Sequence, residues 1–254
     1  CSEALVDAVQ YLVELVAHMR GIDPAMLREA AADDIIIDTA SFIDTKSSID
    51  KNTEQEIRQL YAQASTVVFT SMNAVEAVAA VEHNHQPSWK IFCIGETTAS
   101  LVKQHFGEAA IIGTAGSAQE LAAVIIKRAS IPEVVFFCGD NRRPELPAAL
   151  MDNNIKVNEK VVYKTSFTPH LIDKKYDGIL FFSPSAVESF FSSNTIDSNT
   201  ILFAIGQTTG DTIKKFSGNR IITGTVPGKE ELARQAVAYF KSANALHQLI
   251  KLLL

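Results

Sequence analysis

The stretch IGQTTGDTIKK, Ile205 to Lys215, takes the end of an apolar run (Ile201 to Ile205) into a glycine, two adjacent hydroxyl residues and a segment of helical spacing in that order. This order reads as a strand handing over to a helix through a short polar turn, which points free backbone N–H groups at whatever sits there. The turn falls short of a nucleotide loop. A Walker A loop needs Gly, four residues and then Gly-Lys-Ser/Thr, and a Rossmann loop needs Gly-x-Gly-x-x-Gly; neither pattern occurs in the chain.

The stretch has an echo. In CIGETTASLVKQ, Cys93 to Gln104, the residues Gly95, Thr97 and Thr98 stand 111 positions before Gly206, Thr208 and Thr209. Upstream, VFTSMNAVEAV (Val68 to Val78) matches LFFSPSAVESF (Leu180 to Phe190), with Ser71 over Ser183, Asn73 over Ser185 and Ala74 over Ala186. Downstream, Gly113, Glu120, Leu121 and Ala122 fall over Gly224, Glu231, Leu232 and Ala233. A fainter match sets LVAHMRGIDPAML before IIIDTASF against VVFFCGDNRRPELPAAL before IKVNEKVVYKTSF. Each of these reads as a strand, an Arg-bearing turn, a Pro-started helix and another strand. A period of about a hundred residues is too long for a solenoid and fits a duplicated domain.

Within each copy, short β-branched or aromatic runs (Val67 to Phe69, Lys90 to Ile94, Ala110 to Ile112, Val134 to Phe137) alternate with segments of helical periodicity. That alternation predicts an α/β fold, with parallel strands and helices on both faces of each sheet. Ligands of open α/β sheets bind beyond the carboxyl ends of the strands, where the repeated polar turns would lie. Two polar stretches, Ile43 to Asn52 and Lys164 to Lys175, lack strong helical periodicity and are the expected linkers.

A formal charge of −6 with no dense Lys/Arg run argues against bulk electrostatic binding of nucleic acid. Cys1, Cys93 and Cys138 form no disulfide framework, and the two internal cysteines lie in apolar runs that suit small buried thiols. No apolar stretch reaches the length of a membrane span, and the N-terminus lacks signal-peptide features, so the expectation is a cytoplasmic protein. The first residues, CSEALVDAVQYL, read as a short amphipathic helix. The apolar tail ALHQLIKLLL needs burial or pairing.

Ser71, Ser183 and Ser185 precede helical segments, and serine there ordinarily caps the helix. Recurrence in both copies, together with Thr97, Thr98, Thr208 and Thr209, lifts these turns towards a binding role. Other chemistries fare worse. Glu82-His83-Asn84-His85 has no partner at a metal-ligand spacing; no Gly-x-Ser-x-Gly occurs; and Cys138-Gly139-Asp140 has no evident His partner. Tyr163, in VVYKT, ends a strand-like run, where a phenol either packs as a wall or donates a proton.

Taken in order, VFTSMNAVEAV, CIGETTASLV, GDNRRPELPAAL, VVYKT, FFSPSAVESFF and AIGQTTGDTIKK resemble the uroporphyrinogen-III synthase family, from about Asp23 to about Phe240. The resemblance implies two similar domains with parallel, flavodoxin-like sheets, joined by a two-stranded linker. It implies that residues 1–42 join 170–254 in one domain and that 43–169 form the inserted other. It further implies closure of hydroxymethylbilane, a linear tetrapyrrole with eight carboxylates, to uroporphyrinogen III. Water is lost and ring D inverts through a proposed spiro-pyrrolenine, with no metal or organic cofactor, in a monomer.

The same resemblance assigns residues. Tyr163 matches the tyrosine thought to assist departure of the ring A hydroxyl. Ser71, Asn73, Thr97, Thr98, Ser183, Ser185, Ala186, Gly206, Thr208 and Thr209 match positions lining the substrate cleft. Arg143, beside Arg142, matches an arginine of the Arg-bearing turn. Relatives begin with a strand leading into Thr-Arg-Pro, whereas this chain reads His18-Met19-Arg20-Gly21 at the matching place. The alternative reading is a two-domain protein that binds an anionic small ligand without chemistry.

Overall fold

The computed structural model describes residues 35–82, 86–128, 130–226, 228–243 and 250–253. The chain divides into two compact units, Cys1–Asp44 with Phe167–Leu254, and Thr45–Ser166. Strand β1 (Ile35–Asp38) belongs to the first unit, and β2 (Ile43–Ser47) leads into the second.

The second unit continues with α1 (Lys51–Tyr61), β3 (Thr66–Phe69), α2 (Met72–Ala79), β4 (Lys90–Ile94), α3 (Glu96–Phe106) and β5 (Ile111–Ala115). It ends with α4 (Ala118–Ile126), β6 (Glu133–Gly139), α5 (Glu145–Asp152) and β7 (Lys156–Phe167). Its sheet has the order β2-β7-β6-β3-β4-β5, and the five strands from β7 to β5 are parallel. Of the two expected linkers, the first opens with β2 and the second with the end of β7. The amide of Thr168 donates to the Phe42 carbonyl at 2.9 Å and that of Ser48 to the Val162 carbonyl at 3.0 Å. One strand advances as the other retreats, so β2 and β7 run antiparallel.

Alternation along each strand builds a core on both faces of this sheet. Val67, Phe69, Ile91, Cys93, Val135 and Phe137 enter one cluster, while Val68, Phe92, Val134, Phe136 and Cys138 enter the other. Full burial of each large apolar side chain stabilises the fold by about 1.5–3 kcal/mol. The first cluster is aromatic: Trp89 lies 4.6 Å from Tyr61, 5.4 Å from Phe106 and 5.9 Å from Phe137, measured between ring centroids. The Trp89 indole N–H donates to the Leu60 carbonyl at 2.9 Å, which satisfies its buried donor.

The first unit resumes with β8 (Gly178–Phe181), α6 (Pro184–Phe191), β9 (Ile201–Ala204), α7 (Gln207–Ile213), β10 (Ile221–Thr223), α8 (Lys229–Ala243) and β11 (Ile250–Leu253). Its parallel sheet has the order β1-β11-β8-β9-β10. Here too the faces alternate, with Leu180 and Phe203 in one cluster and Ile179, Phe181, Leu202 and Ala204 in the other. The repeated glycines mark close approaches. A Cβ on Gly113 would meet the Phe92 ring at 2.7 Å, and one on Gly224 would meet the Ile205 carbonyl at 3.1 Å.

The segment up to Arg20, read in the sequence as a strand and an Arg-bearing turn, lies outside the described residues. The apolar tail, expected to need burial or pairing, supplies β11 between β1 and β8, with Ile35 to Asp38 registered on Ile250 to Leu253. The physical reason is composition: a strand flanked on both sides in a parallel sheet needs a nearly continuous apolar run, and LIKLLL supplies one.

Each sheet has a point where the chain reverses its direction of travel. In the second unit β3, β4 and β5 step one way and β6 and β7 the other, so the switch lies between β3 and β6. In the first unit it lies between β8 and β11. Open α/β sheets form their ligand crevices at the carboxyl ends beside such points.

Candidate functional site

At the switch point of the second unit, β3 runs into Ser71 and β6 ends at Gly139. Strand β7 carries Tyr163 alongside. The register of β6 on β7 is interrupted here: Cys138 pairs with Val161, and Gly139 with Tyr163. One residue of β7 is therefore extra, and a bulge re-aims the side chains that follow it. Val162 and Tyr163 are adjacent, yet both pack against the same core cluster, which an unbroken strand would forbid. Room for the ring comes from Gly139, where a Cβ would lie 2.5 Å from Tyr163 Cζ and 2.8 Å from its phenolic oxygen.

Asp140 fastens this bend. Its amide donates to the Tyr163 carbonyl at 3.1 Å, and its carboxylate Oδ1 accepts from the Thr165 amide at 3.1 Å. Burial holds the Tyr163 phenol above the ordinary tyrosine range, the facing Ser71 side chain pulls it back, and Cys138 and Asp140 add to the upward push. The group is thus a neutral phenol at physiological pH, able to donate but not to act as a base.

The serines realise their local role. Ser71 Oγ accepts from the Asn73 amide at 3.2 Å at the start of α2, and Ser183 Oγ accepts from the Ala186 amide at 3.1 Å at the start of α6. Pro184 occupies the first turn of α6, where its missing N–H costs nothing. Ser185 and Ala186 follow it in the same turn, half-buried. The glycine turns differ, because neither α3 nor α7 receives a side-chain cap. A Cβ added to Gly95 or Gly206 would meet nothing within 4 Å, so open space faces both turns. Gly95 also has φ +76°, a conformation that favours glycine. Thr97 is exposed and Thr208 half-buried, whereas Thr98 and Thr209 are only 6% and 3% exposed.

Arg142 and Arg143 divide their work. Arg142 Nε is paired with Glu159 at 2.5 Å, and Arg143 stands exposed before Pro144. Cys138 is no nucleophile: it is 1% exposed, and burial pushes its thiol up to about 11. Two site features escaped the sequence reading, the Gly139 seat and the Asp140 fastening. Their only trace was the tripeptide Cys138-Gly139-Asp140 at the end of an apolar run. Arg20, His83 and His85 lie outside the described residues. Among the described residues, no group of three His, Cys, Asp or Glu side chains could hold a metal ion. No helix among them is long and apolar enough to cross a membrane.

Two α/β units with parallel strands, each with polar turns at the carboxyl ends of its strands and one with a half-buried phenol at its switch point, define a two-domain α/β protein. The uroporphyrinogen-III synthase family model matches residues 27–234, and the chain belongs to that family, whose members are cyclising lyases of haem biosynthesis. Solved structures agree on the fold. The uroporphyrinogen-III synthetase from Helicobacter pylori superposes with a TM-score of 0.57 at 18% identity, over 81% of this chain and 98% of that one. A mutant uroporphyrinogen III synthase from Thermus thermophilus gives a TM-score of 0.59 at 13% identity, over 86% of this chain and 94% of that one. No curated protein sequence matches the chain.

Proposed function

We propose that this chain converts hydroxymethylbilane to uroporphyrinogen III, with Tyr163 assisting departure of the ring A hydroxyl and the polar turns holding carboxylate arms. The observation that carries this reading is the Tyr163 ring seated on Gly139 at the switch point. A phenol kept neutral by burial can give a hydrogen bond or proton to an oxygen that leaves as water. Ser71, facing the phenol, orients it. The turns at Gly95 and Gly206, with Asn73, Thr97, Thr98, Ser183, Ser185, Ala186, Thr208 and Thr209, supply amide and hydroxyl donors for anionic arms, and Arg143 adds a cation. Glu96, at the head of α3, opposes an anion at its own turn, while Gln207 at the head of α7 does not. The Gly206 turn is therefore the better carboxylate holder of the two.

No strong acid, base or nucleophile is required by this chemistry. The hydroxyl leaves readily, and the isomer formed depends on how the linear substrate is folded before closure, so positioning is the main task. No cofactor or metal takes part in the proposed reaction. We place the protein in the cytoplasm as a monomer; the buried, unpaired Cys93 and Cys138 suit a reducing compartment.

The test supplies freshly made hydroxymethylbilane, oxidises the products and separates type I from type III uroporphyrin by chromatography, beside a protein-free control. A type III excess is expected. Type I alone, as in the control, would sink the proposal.

A further inference from the structure

In the first unit, Lys229 opens α8 just beyond the carboxyl end of β10. Its ammonium lies 5.6 Å from the centroid of the Phe182 ring, which sits in the turn after β8. Strand β9 lies between β8 and β10, so the side chain spans the end of β9, where the Gly206 turn leaves the sheet. It ends beside the switch point of this unit. One lysine thus bridges the two turns that bracket Gly206, and open space faces Gly206 itself.

The electrostatics of this placement are unfavourable as they stand. A cation at the first position of a helix opposes the helix dipole. Lys229 is half-buried, and burial pulls its ammonium below the ordinary lysine range. Nearby carboxylates do not compensate: Glu230 is bound by Arg234 at 2.6 Å, and Lys229 forms no ion pair with any described residue. The face of Phe182 offsets part of the lost hydration. A half-desolvated, unneutralised cation at the ligand end of a sheet is what an anionic group would complete, since a charge-assisted hydrogen bond restores what burial removes.

We infer that Lys229, held over Phe182, grips a carboxylate arm of the tetrapyrrole and fixes its position at the switch point of the first unit. The inference rests on the proposed substrate class. Lys229 positions the ligand and touches no bond that forms or breaks.

The test titrates uroporphyrin III, an octacarboxylate product analogue, into the wild-type chain, Lys229→Met and Lys229→Arg, following porphyrin fluorescence at low and high salt. Methionine keeps the apolar stem over Phe182, so folding is preserved; circular dichroism checks this. The methionine variant should bind about tenfold more weakly and show a shallower salt dependence, with arginine within about twofold of wild type. Equal affinity in wild type and Lys229→Met would overturn the inference, as would absence of wild-type binding. Type III product formation is scored separately: binding that depends on Lys229 without type III product would remove the synthase reading and leave the carboxylate grip standing.

Discussion

The ring of Tyr163 fills the space that any side chain at Gly139 would need, with Cζ 2.5 Å and the phenolic oxygen 2.8 Å from where a Cβ would stand. Gly139→Ala therefore forces the phenol out of its seat. Overpacking of this kind costs about 1–3 kcal/mol, and an ångström of displacement at a reacting centre costs about a hundredfold in rate. The expected outcome is a folded variant whose type III formation falls by about two orders of magnitude. Full activity in Gly139→Ala would show that the seat does not matter.

Removing only the phenolic oxygen isolates its chemistry. Tyr163→Phe keeps the ring in place and should lower kcat by about 10²-fold with little change in KM, as expected when an interaction is made chiefly in the transition state. The raised pKa carries a sign. Because the folded phenol titrates above the ordinary value of 10.0, the wild-type rate should show no descending limb from this group below about pH 10. A limb near pH 8 that vanishes in Tyr163→Phe would contradict the burial argument.

Ser71 holds two roles that different substitutions separate. Ser71→Ala removes the cap on the Asn73 amide and should cost about 1 kcal/mol of stability, while Ser71→Gly costs only a few tenths. Both remove the hydroxyl that faces Tyr163. Ser71→Gly should accordingly keep the urea midpoint of the wild type and lose about tenfold in turnover. Unchanged turnover would reduce Ser71 to a helix cap.

Alkaline stability follows from the buried thiols. Burial pushes Cys93 and Cys138 from 9.0 up to about 11. Their ordinary values apply in the unfolded chain, so folded stability is fully present below pH 9 and is lost as pH rises towards 11. Urea midpoints should be flat from pH 7 to about 8.5 and fall above that. Cys93→Ala/Cys138→Ala should flatten the alkaline fall while lowering the neutral-pH midpoint. A double variant with the wild-type alkaline profile would assign the fall to the buried tyrosines instead.

Much of this architecture was legible because both signals that carried it are local. Alternation of Val67, Val68 and Phe69, or of Leu202 and Phe203, reports two buried faces, and the spacing of Gly95 on Gly206 reports the duplication. The site was legible only as residue types. That Ser71 faces Tyr163 depends on a bulge between Cys138 and Gly139, which no periodicity announces. Thr97 and Thr98 are neighbours of equal chemistry, and only helix geometry decides that one is exposed and the other buried. The sheet position of the apolar tail was not legible for a related reason: pairing between distant strands is set by which apolar run fits a doubly covered position, and no local periodicity reports that.

The tail strand gives the last prediction. β11 is paired to β1 on one side and β8 on the other, so removing residues 250–254 would detach the edge strand β1 from the sheet and leave β8 paired to β9 alone. Each lost ladder hydrogen bond is worth about 1 kcal/mol net, and unpaired inner edges also invite association between chains. The second unit's sheet does not include β11. This unit holds Trp89, the single tryptophan of the chain, which is 3% exposed within its own aromatic cluster. Indole fluorescence therefore follows the second unit, while far-ultraviolet circular dichroism follows both. In the truncated chain the dichroism should show an early urea transition that the fluorescence lacks, with the Trp89 transition kept near its original midpoint. Coincident early transitions by both probes would mean that the units unfold as one; an unaltered dichroism curve would mean that β11 is not the strand that completes the sheet.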